Sequence, residues 1–206
     1  MNCRQLNDKW LTFDCYGTLL DWQTAFRRLL GPEVVDAYHE LEPALQADMP
    51  GARYKDVLRE AAVRLELDDR DVLMNGWSSI GPFADTPAAL TALRAAGWKL
   101  GILTNCDVDL FESTRAALGV PIDLVVTAEE VGAYKPSLEH FTRFEAVTGV
   151  ERANWVHAAV SWWHDMVPAR ELGLRSVWVD RERTRHDASI VTFHVHDMAG
   201  VPGVLA

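Results

Sequence analysis

The sequence predicts an α/β fold, a doubly wound parallel sheet with a small helical domain inserted after the first strand. Three observations support this prediction. Short apolar runs alternate with amphipathic helical patterns, which is typical of βαβ units and hence of a parallel sheet covered on both faces. Glycines fall just past several helical patterns, where left-handed caps are common. One long stretch, residues 21–83, has helical patterns and no convincing strand.

The predicted strands are short and mostly apolar. They cover residues 10–13, 99–103, 124–127, 155–160, 176–179 and 191–195. The helical patterns between them cover residues 87–96, 108–118, 137–147 and 167–172, and are followed by Gly97, Gly119, Gly149 and Gly173. Residues 194–206 either complete an edge of the sheet or pack elsewhere.

The helical stretch divides the predicted chain into two domains. We expect a Rossmann-like catalytic core of residues 1–20 and 84–206 and a helical cap of residues 21–83, with hinges near residues 20–21 and 81–82. A lid at this place would close over the strand ends, exclude water and supply substrate contacts. The alternative is a helical hairpin that only covers apolar surface.

Composition limits the classes of partner. The chain has 206 residues, 49% of them hydrophobic, and a formal net charge of −10, which disfavours nucleic acid and anionic membrane surfaces. No apolar run reaches membrane-spanning length, and residues 1–9 lack the apolar region of a signal peptide, so we expect a cytoplasmic protein. The three cysteines, Cys3, Cys15 and Cys106, have no metal-ligand spacing and are expected to be reduced thiols.

One carboxylate stands out. Asp14 ends the first apolar run and is followed by a turn that contains Gly17. The carboxyl ends of strands are where open α/β sheets bind ligands, and a carboxylate there can act as a nucleophile. The segment alone is equally compatible with an ordinary strand-to-turn transition, in which the Asp accepts backbone hydrogen bonds.

Four segments in order decide between these interpretations. They are FDCYGTL at 13–19, LGILTN at 100–105, YKP at 134–136 and VHAAVSWWHD at 156–165. Together they resemble the motifs of the haloacid dehalogenase-like hydrolases, and the Asp-x-Tyr-Gly-Thr-Leu pattern resembles the L-2-haloacid dehalogenase branch.

The resemblance implies a chemical role for each motif. Asp14 attacks an electrophile and forms an ester that water hydrolyses, while Thr104 and Asn105 hold oxygens or the leaving group with neutral donors. Lys135 offsets the negative charge of nucleophile and substrate. Asp165 bonds to Lys135 or to a neighbouring serine, or orients the hydrolytic water. The catalytic set implied by the motifs also includes Thr18 and Ser161.

The leaving group follows from two missing acids. Phosphatases of this superfamily carry a second Asp two positions after the nucleophile, to protonate a leaving alkoxide, and this chain has Tyr16 there. Their fourth motif carries an acid where this chain has Ser161. A halide leaves without a proton, so we expect a 2-haloacid dehalogenase that acts on a small organic acid and requires no cofactor. The alternatives are a phosphatase, with Mg²⁺ held by Asp14, the Tyr16 carbonyl and Asp165, and a catalytically silent binding protein.

The substrate-binding prediction is less complete. The dehalogenase branch has an Arg in the first long cap helix where this chain has His39, a Tyr where it has Phe141, and an Asn where it has Trp162. His164 is a candidate general base or a structural histidine. We expect Tyr16, His39, Trp162 and His164 to line the substrate site, and by resemblance a homodimer is possible. The sequence does not identify the natural substrate.

Overall fold

A computed structural model describes residues 8–206 and has one six-stranded sheet, in which every strand is parallel to its neighbours. The strand order is β3-β2-β1-β4-β5-β6. The strands are β1 (Trp10–Phe13), β2 (Lys99–Thr104), β3 (Leu124–Thr127), β4 (Trp155–Ala159), β5 (Arg175–Val179) and β6 (Phe193–Val195). The predicted parallel α/β sheet is confirmed, and the segment after residue 190 completes its edge.

The described residues contain ten α-helices. They are α1 (Trp22–Leu30), α2 (Pro32–Asp48), α3 (Tyr54–Arg64), α4 (Val72–Gly76), α5 (Thr86–Ala95), α6 (Val108–Arg115), α7 (Ala128–Val131), α8 (Glu139–Thr148), α9 (Val167–Glu171) and α10 (Val201–Val204). The two shortest, α7 and α10, were not expected from the sequence. None of the helices in residues 8–206 has the length and apolarity that a membrane span requires.

The sheet is covered on both faces. Leu11 and Phe13 of β1 belong to a buried cluster that includes residues of α5, α6 and α10. Trp10, one residue out of phase, belongs to a second cluster with residues of α8 and α9. Successive side chains of a strand point to opposite faces, and all four residues of β1 are buried. Burial on both sides explains the continuous apolar runs of the sequence.

Chain order places β1 at the centre of the sheet. The chain runs from β1 outward through β2 to β3, then returns to the other side of β1 for β4, β5 and β6. The strand order therefore reverses next to β1. A crevice at the carboxyl ends of the strands is expected at such a switch point, and Asp14 follows β1 directly.

Four helices, α1 to α4, lie between β1 and α5, where the sequence predicted a cap. The chain enters and leaves this segment at one place, because the Asp21 amide donates to the Gly81 carbonyl at 2.8 Å and Leu20 pairs with Pro82. Asp21 also caps α1 by accepting a hydrogen bond from the amide of Thr24. We propose that residues 21–83 form a cap domain hinged at these paired segments.

Local details confirm some predictions and correct others. Gly97, Gly119, Gly149 and Gly173 all have positive φ, as expected of residues that end helices. The last strand begins at Phe193 and not at residue 191. Residues 162–166 form a π-helical turn that the sequence patterns did not predict. Cys3 and the predicted absence of a signal peptide involve residues 1–7, which lie outside the described residues.

Candidate active site

The turn after β1 folds back so that the side chain of Thr18 donates a hydrogen bond to the carboxylate of Asp14. Gly17 has φ +89°, and the amides of Leu19 and Leu20 both donate to the Cys15 carbonyl at 2.8 and 3.0 Å. This geometry brings the Thr18 hydroxyl to 2.8 Å from Asp14 Oδ2, to which it donates. Only a residue without Cβ adopts the conformation of Gly17 readily, so the sequence Gly-Thr positions the carboxylate.

The Thr18 hydroxyl is itself held in place. It accepts a hydrogen bond from the amide of Val160, at the end of β4, at 3.1 Å. The Thr18 carbonyl accepts from the guanidinium of Arg181, which also binds both carboxylate oxygens of Asp85 at 3.0 and 3.1 Å. The Thr18 side chain is fully buried. The orientation of Asp14 is thus fixed from two strands and from the segment after β5.

Lys135 is a buried ammonium between two carboxylates. Its Nζ lies 2.9 Å from Asp14 Oδ1 and 2.8 Å from Asp165 Oδ1, and it donates a third hydrogen bond to the Leu103 carbonyl at 2.9 Å. These three acceptors use all of its N–H groups. Burial opposes the charge of Lys135, but the two carboxylates prevail and raise its pKa to about 12. The lysine is therefore permanently charged near neutral pH.

Asp165 is supported by a histidine from β4. His157 Nε2 lies 2.9 Å from Asp165 Oδ1, and its Nδ1 lies 2.9 Å from the hydroxyl of Thr12, which accepts from the indole of Trp155 at 2.8 Å. Burial works to raise the pKa of Asp165, but the charge of Lys135 and the hydrogen bond to His157 hold it well below its usual range. The second oxygen, Oδ2, is buried and has no hydrogen-bond partner within residues 8–206.

The other predicted catalytic residues make contacts within the protein. The amide side chain of Asn105 exchanges hydrogen bonds with the backbone of Lys135, at 2.7 and 3.1 Å, and so positions the lysine. Thr104 lines the site, and its hydroxyl lies 3.5 Å from the Cys106 sulfur. Ser161 accepts from the amide of His164, and its oxygen lies 3.0 Å from that ring. Of the two partners expected for Asp165, the structure has Lys135 and not Ser161.

The predicted substrate-binding residues surround a cavity of about 670 Å³ at the strand ends, and all four line it. Tyr16 bridges the core and the helical segment, since its hydroxyl accepts from the Trp77 indole at 2.9 Å and bonds Thr114 at 2.8 Å. Trp162 stacks on the ring of His186, with centroids 4.6 Å apart.

The two histidines of this group differ in environment. Burial lowers the pKa of His164, so its ring is neutral near neutral pH. His39 is exposed and lies beside Trp22, with ring centroids 5.6 Å apart. Neither ring bonds to Asp14 within the described residues.

Comparisons with known proteins agree with this geometry. A family model described as haloacid dehalogenase-like hydrolase matches residues 9–158, which is more than half of the chain. The chain belongs to the haloacid dehalogenase-like hydrolase family. It is therefore a hydrolase, as the four motifs predicted, and the motif residues Asp14 and Lys135 lie within the matched segment.

Individual relatives refine the comparison. The chain is 26% identical over 202 residues to an (S)-2-haloacid dehalogenase of Pseudomonas putida, covering 88% of each chain. It is 33% identical over 98 residues to a glyceraldehyde 3-phosphate phosphatase of Methanocaldococcus jannaschii, covering 47% of this chain and 43% of that protein. The structure of an L-2-haloacid dehalogenase from Xanthobacter autotrophicus, with chloropropionic acid covalently bound, superimposes with a TM-score of 0.83 at 20% identity and covers 96% and 98% of the two chains.

The residues of this hydrolase do not fit the magnesium site of the phosphatase alternative. That alternative used the carboxylates of Asp14 and Asp165 and the carbonyl of Tyr16. The Lys135 ammonium already lies between the two carboxylates, within 2.9 Å of each, and supplies the positive charge there. Mg²⁺ needs close-packed oxygen ligands at about 2.1 Å in octahedral geometry, and Ser161 adds only a neutral hydroxyl that is already bonded to His164.

Several residues of this site were missed by sequence reasoning. His157 lies within the fourth motif but received no predicted role, although its place inside a fully buried strand implies a bonded partner. Glu42 also lines the cavity, and its helical spacing from Tyr38 and Gln46, both buried, could have placed it on the inner face of α2. Arg181 lies just after β5 and belongs to none of the four motifs, so no sequence pattern indicated its role. The free thiols Cys15 and Cys106 are buried, and burial raises the pKa of Cys106 to about 12.

Proposed function

We propose that this hydrolase cleaves a carbon–halogen bond of a small organic acid through an ester on Asp14. The observation that carries the proposal is the placement of Asp14 at the cavity wall, with one oxygen bound by Lys135 at 2.9 Å and the other by Thr18 at 2.8 Å. The names of the relatives, (S)-2-haloacid dehalogenases, support the same bond type.

In the first step an oxygen of Asp14 attacks the carbon that bears the halogen. The carbon–halogen bond breaks, the halide leaves with the bonding electrons, and an aspartyl ester forms. Each carboxylate oxygen retains a lone pair beside its one hydrogen bond, so the nucleophile is oriented without being blocked. The fixed orientation supplies part of the rate increase, because the attacking oxygen loses little freedom on reaction.

In the second step water attacks the carbonyl carbon of the ester. Negative charge develops on the Asp14 oxygen that is not part of the ester bond. Lys135 binds one oxygen of Asp14 and Thr18 the other, so a donor is already in place whichever oxygen carries the charge. Asp165 lines the same cavity and holds Lys135 in place through Oδ1, at 2.8 Å from Nζ. The hydroxy acid leaves with the original oxygen of Asp14, and one proton is released.

A halide leaving group suits this site, because a halide needs no proton donor and Tyr16 stands where phosphatases of the superfamily have an acid. The side chain that replaces the phosphatase acid is Tyr16, whose hydroxyl is occupied by Trp77 and Thr114. Burial raises the pKa of Tyr16 well above its usual range, so it is a poor proton donor for an alkoxide. Lys135 balances the charge of the nucleophile, and the reaction proposed here requires no cofactor.

The test is a paired substrate panel. Chloride release from short 2-haloacids is measured with and without excess chelator, and phosphate release from small phosphoesters with added Mg²⁺. We expect chloride release that chelator leaves unchanged and that Asp14→Asn abolishes. Phosphate release that depends on Mg²⁺ would establish the phosphatase instead, and no turnover on either panel would favour a silent binding protein.

Two further features are proposed from the sequence and the family resemblance. We propose a homodimer, because homodimers are common in the dehalogenase branch that the sequence resembles, and we propose a cytoplasmic location from the same resemblance. Light scattering coupled to size exclusion tests the dimer, and a mass near 23.1 kDa for the eluting species would contradict it.

A further inference from the structure

An unpaired acid lies on the cap side of the cavity. Glu42 of α2 lines the cavity, and its Oε1 accepts hydrogen bonds from the hydroxyl of Tyr54 at 2.9 Å and from the amide of Gln46. Tyr54 in turn bonds the hydroxyl of Tyr38 at 2.6 Å, and Gln46 accepts from Asn105 at 3.1 Å. A network of buried side chains therefore fixes this carboxylate and connects it to the strand end that positions Lys135.

No cation of residues 8–206 pairs with Glu42, and its second oxygen, Oε2, takes no hydrogen bond from these residues. Burial raises the pKa of Glu42, hydrogen bonds from Tyr54 and Gln46 oppose the rise, and the charge of Asp14 adds to it, so that the pKa reaches about 7. A partly buried acid without a counter-ion costs stability, and such groups are concentrated at functional sites.

The cavity as a whole is acidic, like Glu42. Its walls carry two cations, Lys135 and Arg181, and both are already paired with carboxylates. The wall carboxylates are Asp14, Asp21, Glu42, Asp165, Asp180 and Glu182. A ligand that brings positive charge and hydrogen-bond donors suits such walls better than one that brings a second anion.

We propose that Glu42 is a specificity-determining residue that binds a protonated amine of the substrate, so that the substrate is an amino-substituted 2-haloacid with no net charge. The proposal rests on the proposed function and names the substrate class of the same site. An ammonium offers three donors and one positive charge, which match the free oxygen of Glu42 and the acidic walls. The cavity of about 670 Å³ has room for the added group.

The test uses two substrates with the same number of heavy atoms, 3-amino-2-chloropropanoate and 2-chlorobutanoate. Chloride release is measured at about pH 8, where Glu42 is ionised and the amine protonated, with enzyme-free blanks. We expect kcat/KM to favour the amine by roughly tenfold to hundredfold, as a charge-assisted hydrogen bond allows. Glu42→Gln keeps the shape and should bring the ratio close to one.

Glu40→Gln is the matched control, because Glu40 is an exposed acid on the same helix and does not line the cavity. It removes the same charge from α2 and should leave the ratio as in the unaltered protein. Circular dichroism shows whether both variants keep the fold. Equal kcat/KM for the two substrates in the unaltered protein, or a ratio that Glu42→Gln does not change, would overturn the role of Glu42.

A binding measurement separates this proposal from the proposed function. Calorimetry compares the two hydrolysis products, 3-amino-2-hydroxypropanoate and 2-hydroxybutanoate, and needs no turnover. If neither haloacid releases chloride, the proposed function fails, and tighter binding of the amine that Glu42→Gln abolishes still supports the amine site. Chloride release from both substrates with no preference for the amine leaves the dehalogenase and removes the amine site. Equal or undetectable binding of the products in the absence of turnover overturns it as well.

Discussion

The buried ammonium of Lys135 gives the sharpest prediction for stability. Lys135→Met keeps most of the side-chain volume and deletes three hydrogen bonds, to Asp14 Oδ1, the Leu103 carbonyl and Asp165 Oδ1, of 2.9, 2.9 and 2.8 Å. Removing one partner of a buried ion pair leaves an uncompensated charge, which costs about 3–5 kcal/mol. We expect this loss in the free energy of unfolding at about pH 8.

The loss should depend on pH in a defined direction. In the unaltered protein the pKa of Asp165 is lowered, so its ionised form adds stability above its unfolded pKa, and this stability is lost as the pH falls through the folded pKa. Without Lys135, burial raises the pKa of Asp165, and the folded variant takes up a proton more readily as the pH falls. The difference between the two proteins should therefore shrink between about pH 8 and pH 5.

Urea unfolding followed by tryptophan fluorescence measures both quantities. Lys55→Met is the matched control, since Lys55 pairs with the exposed carboxylate of Asp109 and such surface pairs contribute less than about 1 kcal/mol. A loss below about 1 kcal/mol for Lys135→Met at pH 8 would refute the reasoning. So would a loss of full size that is the same at both pH values.

Three further variants test other parts of the site. Asp14→Asn should reduce chloride release by at least about a thousandfold while circular dichroism shows an unchanged fold, and residual turnover near normal would contradict its role as nucleophile. At pH 8 the free energy of unfolding of Glu42→Gln should exceed that of the unaltered protein by up to about 3 kcal/mol. The pKa of Glu42 is raised to about 7, so the protonated form that stabilises the folded protein is lost as the pH rises. Urea unfolding near pH 4.5 should show no difference in stability between the two proteins. Arg181→Lys removes the paired hydrogen bonds to Asp85 and should lower the free energy of unfolding by about 1–2 kcal/mol. Because Arg181 also binds the Thr18 carbonyl, the variant should lower kcat as well. Unchanged kcat in steady-state chloride release would count against this link.

The sheet was predictable because its strands are buried on both faces. The run at Trp10–Phe13 has no solvent-facing position, so it appears in the sequence as a continuous apolar segment that ends at Asp14. Positive φ at the helix-ending glycines was predictable for a local reason, the steric freedom of glycine. By contrast, the start of β6 at Phe193 depends on pairing with β5, which the sequence does not show.

The site was predictable only through the ordered motifs. Asp14 and Lys135 are 121 residues apart, and no spacing rule connects them, whereas the fold brings their atoms to 2.9 Å. The hydrogen bond between His157 and Asp165 crosses from β4 into the π-helical turn after it, a rare element without a sequence pattern. The network of Glu42 depends on how the helical segment packs on the strand ends, which local sequence does not determine.

The central claim is that Asp14 forms a covalent ester, and oxygen labelling tests it most directly. With enzyme in excess over a 2-haloacid, a single turnover in heavy-oxygen water should place the label in the carboxylate of Asp14. Mass spectrometry of the peptide that contains Asp14 should show the added mass, and the hydroxy acid should carry none. Label found only in the hydroxy acid would mean that water attacks the substrate directly, which would contradict the ester mechanism.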